Sequence, residues 1–390
     1  MKILHVANNA APQFGGAARS IGLFRSAAAL YGNPTHCVSF DDEPARNPHL
    51  NETGWSILPT YRGVLGRDYA LVSNRSAREL NEQAESADVV CVHLLYRYHV
   101  ILAARCARRL GKPLIIVPHG GLDPYVFTYR GLRKKLWLEM YYELLFRDSL
   151  VLYATDREKV KAATAVGDVT AAFLHWPIDE DTGSLADSGP RVPGTPRRLL
   201  FVGRLHPCKR VLETVRAFCR LSVPGWQLVF IGPESHEISS EDLRRAAGAE
   251  WNRSVVYRGV LDRNTLYSEY LGASALILVS HKENFGHVVA EAMRFGLPVM
   301  ISEGVDLCTM VRQAGAGLIV PVHSENDILD GLARFLRSTP EELEKLGQSA
   351  RIAAREHFSF QSFADSYNTI LETLVSQGAH QASRGVPQIA

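Results

Sequence analysis

The segment SHKENFGHVVAEAMRFGLPVM, residues 280–300, places Glu283 and Glu291 eight positions apart, with Asn284-Phe285-Gly286 turning between loop and helix. It starts where the apolar run ALILVS ends, so one carboxylate stands at a strand end and the other about two turns into the following helix. Carboxylates so spaced can meet different parts of one extended ligand. They accept hydrogen bonds from hydroxyls, which suits a sugar at one and a ribose at the other. The Gly286 turn leaves backbone N–H groups at a helix start, aimed at an anion. A plainer alternative is an acidic helix start with a solvent-facing Glu, but the polar loop interrupts an otherwise apolar core stretch.

Two weaker segments carry related chemistry. In FVGRLHPCKR, residues 201–210, a strand ends at Gly203, and Arg204 and Lys209 follow in the loop before a helix. Strand C-termini in open α/β sheets face the ligand crevice. There an Arg fork and a Lys point charge can hold a diphosphate; a solvated basic loop is the equal alternative. After the first apolar run, Phe14-Gly15-Gly16-Ala17 sits at a strand-to-helix turn. Two glycines let backbone approach a ligand, although an ordinary tight turn reads the same way. It is not the G-x-G-x-x-G dinucleotide fingerprint.

The elements that must position these residues alternate short apolar runs with helical patterns. KILHVA (2–7), THCVSF (35–40), DVVCV (88–92) and LIIVP (114–118) predict parallel strands covered on both faces, with a helix from about Arg19 to Tyr31. The grammar restarts at RLLFVG (198–203) and continues through QLVFIG (227–232), VVY (255–257), ALILVS (275–280) and LPVMI (297–301). Between the two series, residues 181–197 hold three Gly and three Pro with almost no large apolar side chain, a linker composition. Two α/β sheets are therefore expected, with domains at 1–185 and 195–357, and residues 377–390 fraying.

Composition sets outer bounds. The 390 residues are 46% hydrophobic and 22% charged, a globular balance, and 43 Lys+Arg against 41 Asp+Glu give +2, which argues against a nucleic-acid partner. Six scattered cysteines without a C-x-x-C pair suit free thiols in a reducing compartment. No run approaches the ~20 apolar residues that cross a bilayer, and the N-terminus is too short for a signal-peptide core. A cytoplasmic protein is expected, with peripheral membrane contact left open.

Taken together and in order, Gly15-Gly16, VPHGG (117–121), GRLHPCK (203–209) and ENFGHVVAE (283–291) resemble a retaining glycosyltransferase of GT-B architecture, family 4 of the sequence-based classification, similar to bacterial exopolysaccharide mannosyl- and glucosyltransferases. The resemblance covers about residues 1–375 and rests mainly on the E-x7-E pattern with its internal F-G. It implies two Rossmann-like domains facing across a cleft, the acceptor at the first and the nucleotide-sugar donor chiefly at the second. It also implies a C-terminal helix within 358–376 that crosses back to the first domain. Carried over by position, Arg204 and Lys209 neutralise the donor diphosphate, and Glu283 holds hydroxyls of the transferred sugar. Asn284, Phe285 and Gly286 supply backbone contacts, Glu291 binds the ribose, and Tyr257-Arg258-Gly259-Val260 lies beside the base. His119 matches the His near the donor sugar that supports the reacting centre. Two stretches depart from the pattern, HWPID (175–179) and the loop around Leu307-Cys308-Thr309.

The resemblance implies a metal-free, front-face transfer with retention, since the cations and helix starts answer the charge that develops on a leaving nucleoside diphosphate. No cofactor beyond the nucleotide sugar, of GDP-mannose or UDP-glucose type, is expected. The expected acceptor is a glycan or polyprenyl-linked glycan in surface polysaccharide synthesis. Asp41-Asp42-Glu43 reads as a surface loop rather than a metal motif, His281 and His287 lack a third zinc ligand, and Cys208 beside Lys209 reads as incidental. Arg130, Arg133, Lys134 and Lys135 adjoin Trp137, Tyr141 and Tyr142, a pattern for an anionic membrane surface or for a core helix with one solvated face. The alternatives to transfer are a nucleotide-sugar epimerase and a noncatalytic sugar-nucleotide-binding protein of the same fold.

Overall fold

Parallel strands buried on both faces need helices on both sides, and the chain supplies them twice. The computed structural model describes residues 1–8, 16–41, 53–63, 66–128, 130–178, 196–321 and 323–383. It divides into two compact units, Met1–His175 with Phe363–Ala390, and Trp176–Ser362. The division falls at His175/Trp176, ahead of the expected 185. Most of the expected linker lies outside the described residues, and its last residue, Arg197, already belongs to a strand.

The first unit holds β1 (Ile3–Asn8), β2 (Thr35–Asp41), β3 (Trp55–Gly63), β4 (Gly66–Val72), β5 (Val89–His93), β6 (Leu114–Val117), β7 (Leu150–Tyr153) and β8 (Ala171–Phe173). Their order in the sheet is β4-β3-β2-β1-β5-β6-β7-β8, parallel except for the β3–β4 pair. Its helices are α1 (Gly16–Leu30), α2 (Asn74–Ser86), α3 (Tyr98–Arg109), α4 (Gly131–Phe146) and α5 (Asp156–Val166). β1 is buried from Ile3 to Ala7, as a central strand must be. β3, β4, β7 and β8 are additions to the strands expected from sequence.

The second unit holds β9 (Arg197–Val202), β10 (Trp226–Ile231), β11 (Val255–Tyr257), β12 (Ala275–Leu278), β13 (Val299–Ser302) and β14 (Gly317–Val320). They form an all-parallel sheet ordered β11-β10-β9-β12-β13-β14. Its helices are α6 (Val211–Leu221), α7 (Ser240–Ala247), α8 (Arg263–Gly272), α9 (His287–Arg294), α10 (Cys308–Ala314), α11 (Glu325–Leu336) and α12 (Pro340–His357). Strand order reverses between β9 and β12, which opens a crevice at their C-terminal ends.

The last helix, α13 (Phe360–Ser383), returns the chain to the first unit. Phe363, Tyr367 and Leu371 recur at four-residue spacing and are all buried, one apolar stripe. Phe24 of α1 meets Phe363 and Tyr367 edge-on at centroid distances of 5.3 and 4.8 Å. Residues 377–383, expected to fray, continue this helix, and 384–390 lie outside the described residues.

Candidate functional site

At the reversal in the second sheet, glycines govern the strand ends. Gly203 N donates to Ile231 O at 2.8 Å and Gly232 N to Gly259 O at 2.8 Å, so pairing runs past the strands themselves. Gly232 has φ 135°, and a Cβ there would fall 2.3 Å from Gly203 O, so only glycine fits. Gly203 has φ 147°, a conformation that side-chain-bearing residues rarely adopt, and the Lys209 stem passes beside it. A 3₁₀ turn over Pro207–Lys209 aims that lysine, with His206 Nδ1 accepting from Cys208 N at 3.1 Å.

The facing wall follows β12. Glu283 is locked through its backbone: its N donates to Gly304 O at 2.9 Å and its O accepts from Asp306 N at 3.0 Å. Gly286, at φ 90°, starts α9; a Cβ there would press to 3.0 Å on Val305 Cγ1. Phe285 turns inward against Phe358, at 5.6 Å between centroids, so its side chain anchors the loop. Asn284 Oδ1 is buried with no hydrogen-bond partner among the described residues.

These two walls enclose a cavity of about 440 Å³ that Arg204, His206, Lys209, Lys282, Glu283 and Gly286 help to line. Lys209 Nζ pairs with Glu283, both side chains about a quarter exposed. Arg204 has no hydrogen-bond or ion-pair partner among the described residues. Arg204, Lys209 and Lys282 stand on its lining with the carboxylate of Glu283.

The remaining expected residues are placed elsewhere. Glu291, in α9, accepts from the buried Tyr270 phenol at 3.0 Å, whose pKa is raised by burial and by that carboxylate. Tyr257 ends β11 and its hydroxyl donates to Gly232 O at 2.9 Å. Arg258 pairs with Glu269 at 3.3 Å, Gly259 takes φ 67°, and Val260 is exposed. None of Glu291 and 257–260 lines the 440 Å³ cavity. Gly15 lies outside the described residues, and Gly16 is the first residue of α1.

His119 belongs to the first unit, in the turn after β6, at φ 50°. Glu158 pins this turn: buried at the start of α5, it accepts from Gly120 N at 2.9 Å and Ala154 N at 2.8 Å. His119 Nε2 lies 3.0 Å from His93 Nδ1. Sequence reasoning passed over Lys282, His206, Tyr270 and Glu158. Lys282 and His206 sit inside the quoted segments and were legible there; Tyr270 and Glu158 become visible only when helices are packed. None of the six cysteines is in a disulfide.

Residues 187–353 match the family model described as glycosyl transferases group 1. The matched segment falls within the second unit. Over 335 residues the chain is 25% identical to a GDP-mannose:cellobiosyl-diphosphopolyprenol alpha-mannosyltransferase of Xanthomonas oryzae, covering 82% of this chain and 83% of that protein. Among solved structures, a glycosyltransferase from Rickettsia africae superposes with a TM-score of 0.73 at 13% identity, over 96% of this chain and 98% of that one. Anabaena HepE, in complex with UDP and glucose, gives 0.68 at 17% identity, over 96% and 100%. The fold is thus that of GT-B glycosyltransferases, with two Rossmann-like units. The matched segment contains both walls of the 440 Å³ cavity.

Proposed function

We propose that the chain is a metal-independent retaining hexosyltransferase that moves mannose or glucose from a nucleoside-diphosphate sugar to a lipid-linked glycan. The Lys209–Glu283 pair at the strand-order reversal carries this reading. A leaving nucleoside diphosphate develops negative charge, and Arg204, Lys209, Lys282 and the α9 start supply preorganised donors without a divalent ion. Glu283, held by its backbone, would accept from sugar hydroxyls, and Glu291 from the ribose. The donor is assigned as GDP-mannose or UDP-glucose in type, and the polyprenyl-linked acceptor rests on the Xanthomonas relative's name. Incubation with a panel of sugar nucleotides and a polyprenyl-diphosphate glycan, followed by NMR of the new anomeric centre, tests it. Retention of the donor configuration is expected; inversion refutes the mechanism, and no transfer from any donor refutes the activity.

A lipid-linked acceptor fits a membrane-facing α4, which is our second assignment. Leu132, Leu136 and Met140 share one face at four-residue spacing and are 74, 52 and 71% exposed, with Arg133 and Lys135 exposed beside them. The aromatics follow the core-helix alternative rather than the interfacial one. Trp137 packs inward on Tyr96, tilted at 5.2 Å between centroids, Tyr141 packs on Trp137, and Lys134 donates to Val126 O at 2.7 Å. The aliphatic ladder and two cations are therefore the part suited to an anionic surface. No helix among the described residues is long and apolar enough to cross a membrane. Flotation with anionic liposomes should fail for Leu132→Asp/Met140→Asp; equal flotation removes this assignment.

A further inference from the structure

Three histidines form an unbroken hydrogen-bonded string through the core of the first unit. Tyr367 Oη lies 3.3 Å from His5 Nε2. His5 Nδ1 lies 2.9 Å from His93 Nε2, and His93 Nδ1 lies 3.0 Å from His119 Nε2. The string links α13, β1, β5 and the turn after β6. His5 and His93 are buried, as is Tyr367.

Each neutral imidazole has one donor nitrogen and one acceptor, so the string runs in one of two senses. Tyr367 decides between them. His5 Nε2 is its only hydrogen-bond partner among the described residues. In one sense the phenol donates to His5. In the other it accepts, and its own proton is orphaned in the core, which disfavours that sense by about tenfold or more. With the phenol donating, the proton of His5 is on Nδ1 and goes to His93 Nε2. The proton of His93 is then on Nδ1 and goes to His119 Nε2, which leaves the proton of His119 on Nδ1. Burial holds the string neutral: it lowers the His5 pKa to about 3 and that of His93 well below the ordinary value.

We infer that Tyr367, acting through His5 and His93, sets the tautomer of His119, which serves transfer as a neutral Nδ1–H donor with its Nε2 committed to His93. This rests on the reading that His119 supports the reacting centre. Tyr367, His5 and His93 are positioning residues. The same atoms offer a second interpretation, since His5, Cys91 and His93 could hold a metal ion. Two nitrogens bound to one tetrahedral zinc lie roughly 3.4 Å apart at ordinary bond lengths. The 2.9 Å separation of His5 Nδ1 and His93 Nε2 fits a shared proton instead.

Long-range ¹H–¹⁵N correlation on full-length protein with ¹⁵N-labelled histidine reads the tautomers without requiring activity. Expected at neutral pH are three neutral Nδ1–H rings for His5, His93 and His119. Tyr367→Phe, which keeps the ring packing, should return His119 to a mixture and lower kcat about 3- to 10-fold with the donor KM unchanged. Phe363→Leu on the same helix should leave the tautomers as they were. An Nε2–H or doubly protonated His119, or a Tyr367→Phe spectrum identical to wild type, overturns the inference. So does a shift of the His5 and His93 signals on adding EDTA or zinc. If the protein transfers no sugar yet shows three Nδ1–H rings, the string stands and the transferase reading falls. Transfer alongside an Nε2–H His119 has the opposite meaning.

Discussion

Lys209 and Glu283 make opposite contributions to binding a nucleoside diphosphate, and this can be separated from sugar binding. In Lys209→Ala, a charge-assisted hydrogen bond to phosphate is lost, about 1.5–3 kcal/mol. Glu283, otherwise paired with Lys209, is then uncovered beside the diphosphate. At about 4 Å the repulsion is ~1 kcal/mol in bulk water and ~4 at an effective dielectric of 20, and partial exposure puts it near the lower end. Together these losses amount to about 3–4 kcal/mol, or roughly 10²–10³ in affinity for GDP or UDP. Glu283→Gln should do the reverse: it frees Lys209 and tightens nucleoside-diphosphate binding about 3- to 10-fold while sugar transfer falls steeply. Lys209→Ala/Glu283→Gln should recover about tenfold over Lys209→Ala alone. Calorimetric titration of the four proteins gives the cycle directly. Wild-type affinity in Lys209→Ala, or weaker binding in Glu283→Gln, would refute the assignment of a diphosphate to the cation end of this cavity.

Other perturbations read different parts of the molecule. Gly232→Ala drives a methyl into Gly203 O and should cost more than about 2 kcal/mol, lowering Tm by several degrees. Gly22→Ala, in α1 with open space around it, should raise stability by about 0.5–1 kcal/mol. Tyr270→Phe removes the phenol from Glu291, and the donor KM should rise about 3- to 10-fold with kcat nearly unchanged in steady-state kinetics. Acid should open the first unit early. His5 and His99 have folded-state pKa values lowered by burial to about 3 and 4, below the unfolded value, so the unfolded chain binds the extra protons. Their contribution is complete above about pH 6.5 and is lost as pH falls toward the folded values, about 2 kcal/mol each by pH 5. Hydrogen exchange should therefore rise in β1 and β5 between pH 7 and 5 before it rises in β9 and β12; the reverse order would contradict this.

The second sheet was legible because its strands are uninterrupted aliphatic runs, and RLLFVG and QLVFIG end on glycines that the strand-end geometry needs. The walls of the cavity were legible for the same reason, since polar loops directly follow such runs. β3 and β4 were hidden: WSILPTYRG and GRDYALV mix polar, aromatic and turn residues without a clean apolar run or alternation. β8 and β14 lie at the edges of their sheets and are only partly buried, while β7 is a buried run like β6 that the sequence reading passed over. The histidine string could not be read from sequence. His5 and His93 sit inside runs whose alternation is erased by burial on both faces, and Tyr367 lies 362 positions from His5. α4 was legible as a core helix with one solvated face, since its aromatics pack inward; its exposed aliphatic ladder of Leu132, Leu136 and Met140 was not.

The most direct test of the central claim is amide hydrogen exchange with and without GDP or UDP. Binding at the strand-order reversal predicts protection concentrated in peptides spanning Gly203–Lys209 and Lys282–Glu291, and its loss in Lys209→Ala. Protection confined to the first unit, or transfer activity with no protection of either loop, would contradict the account.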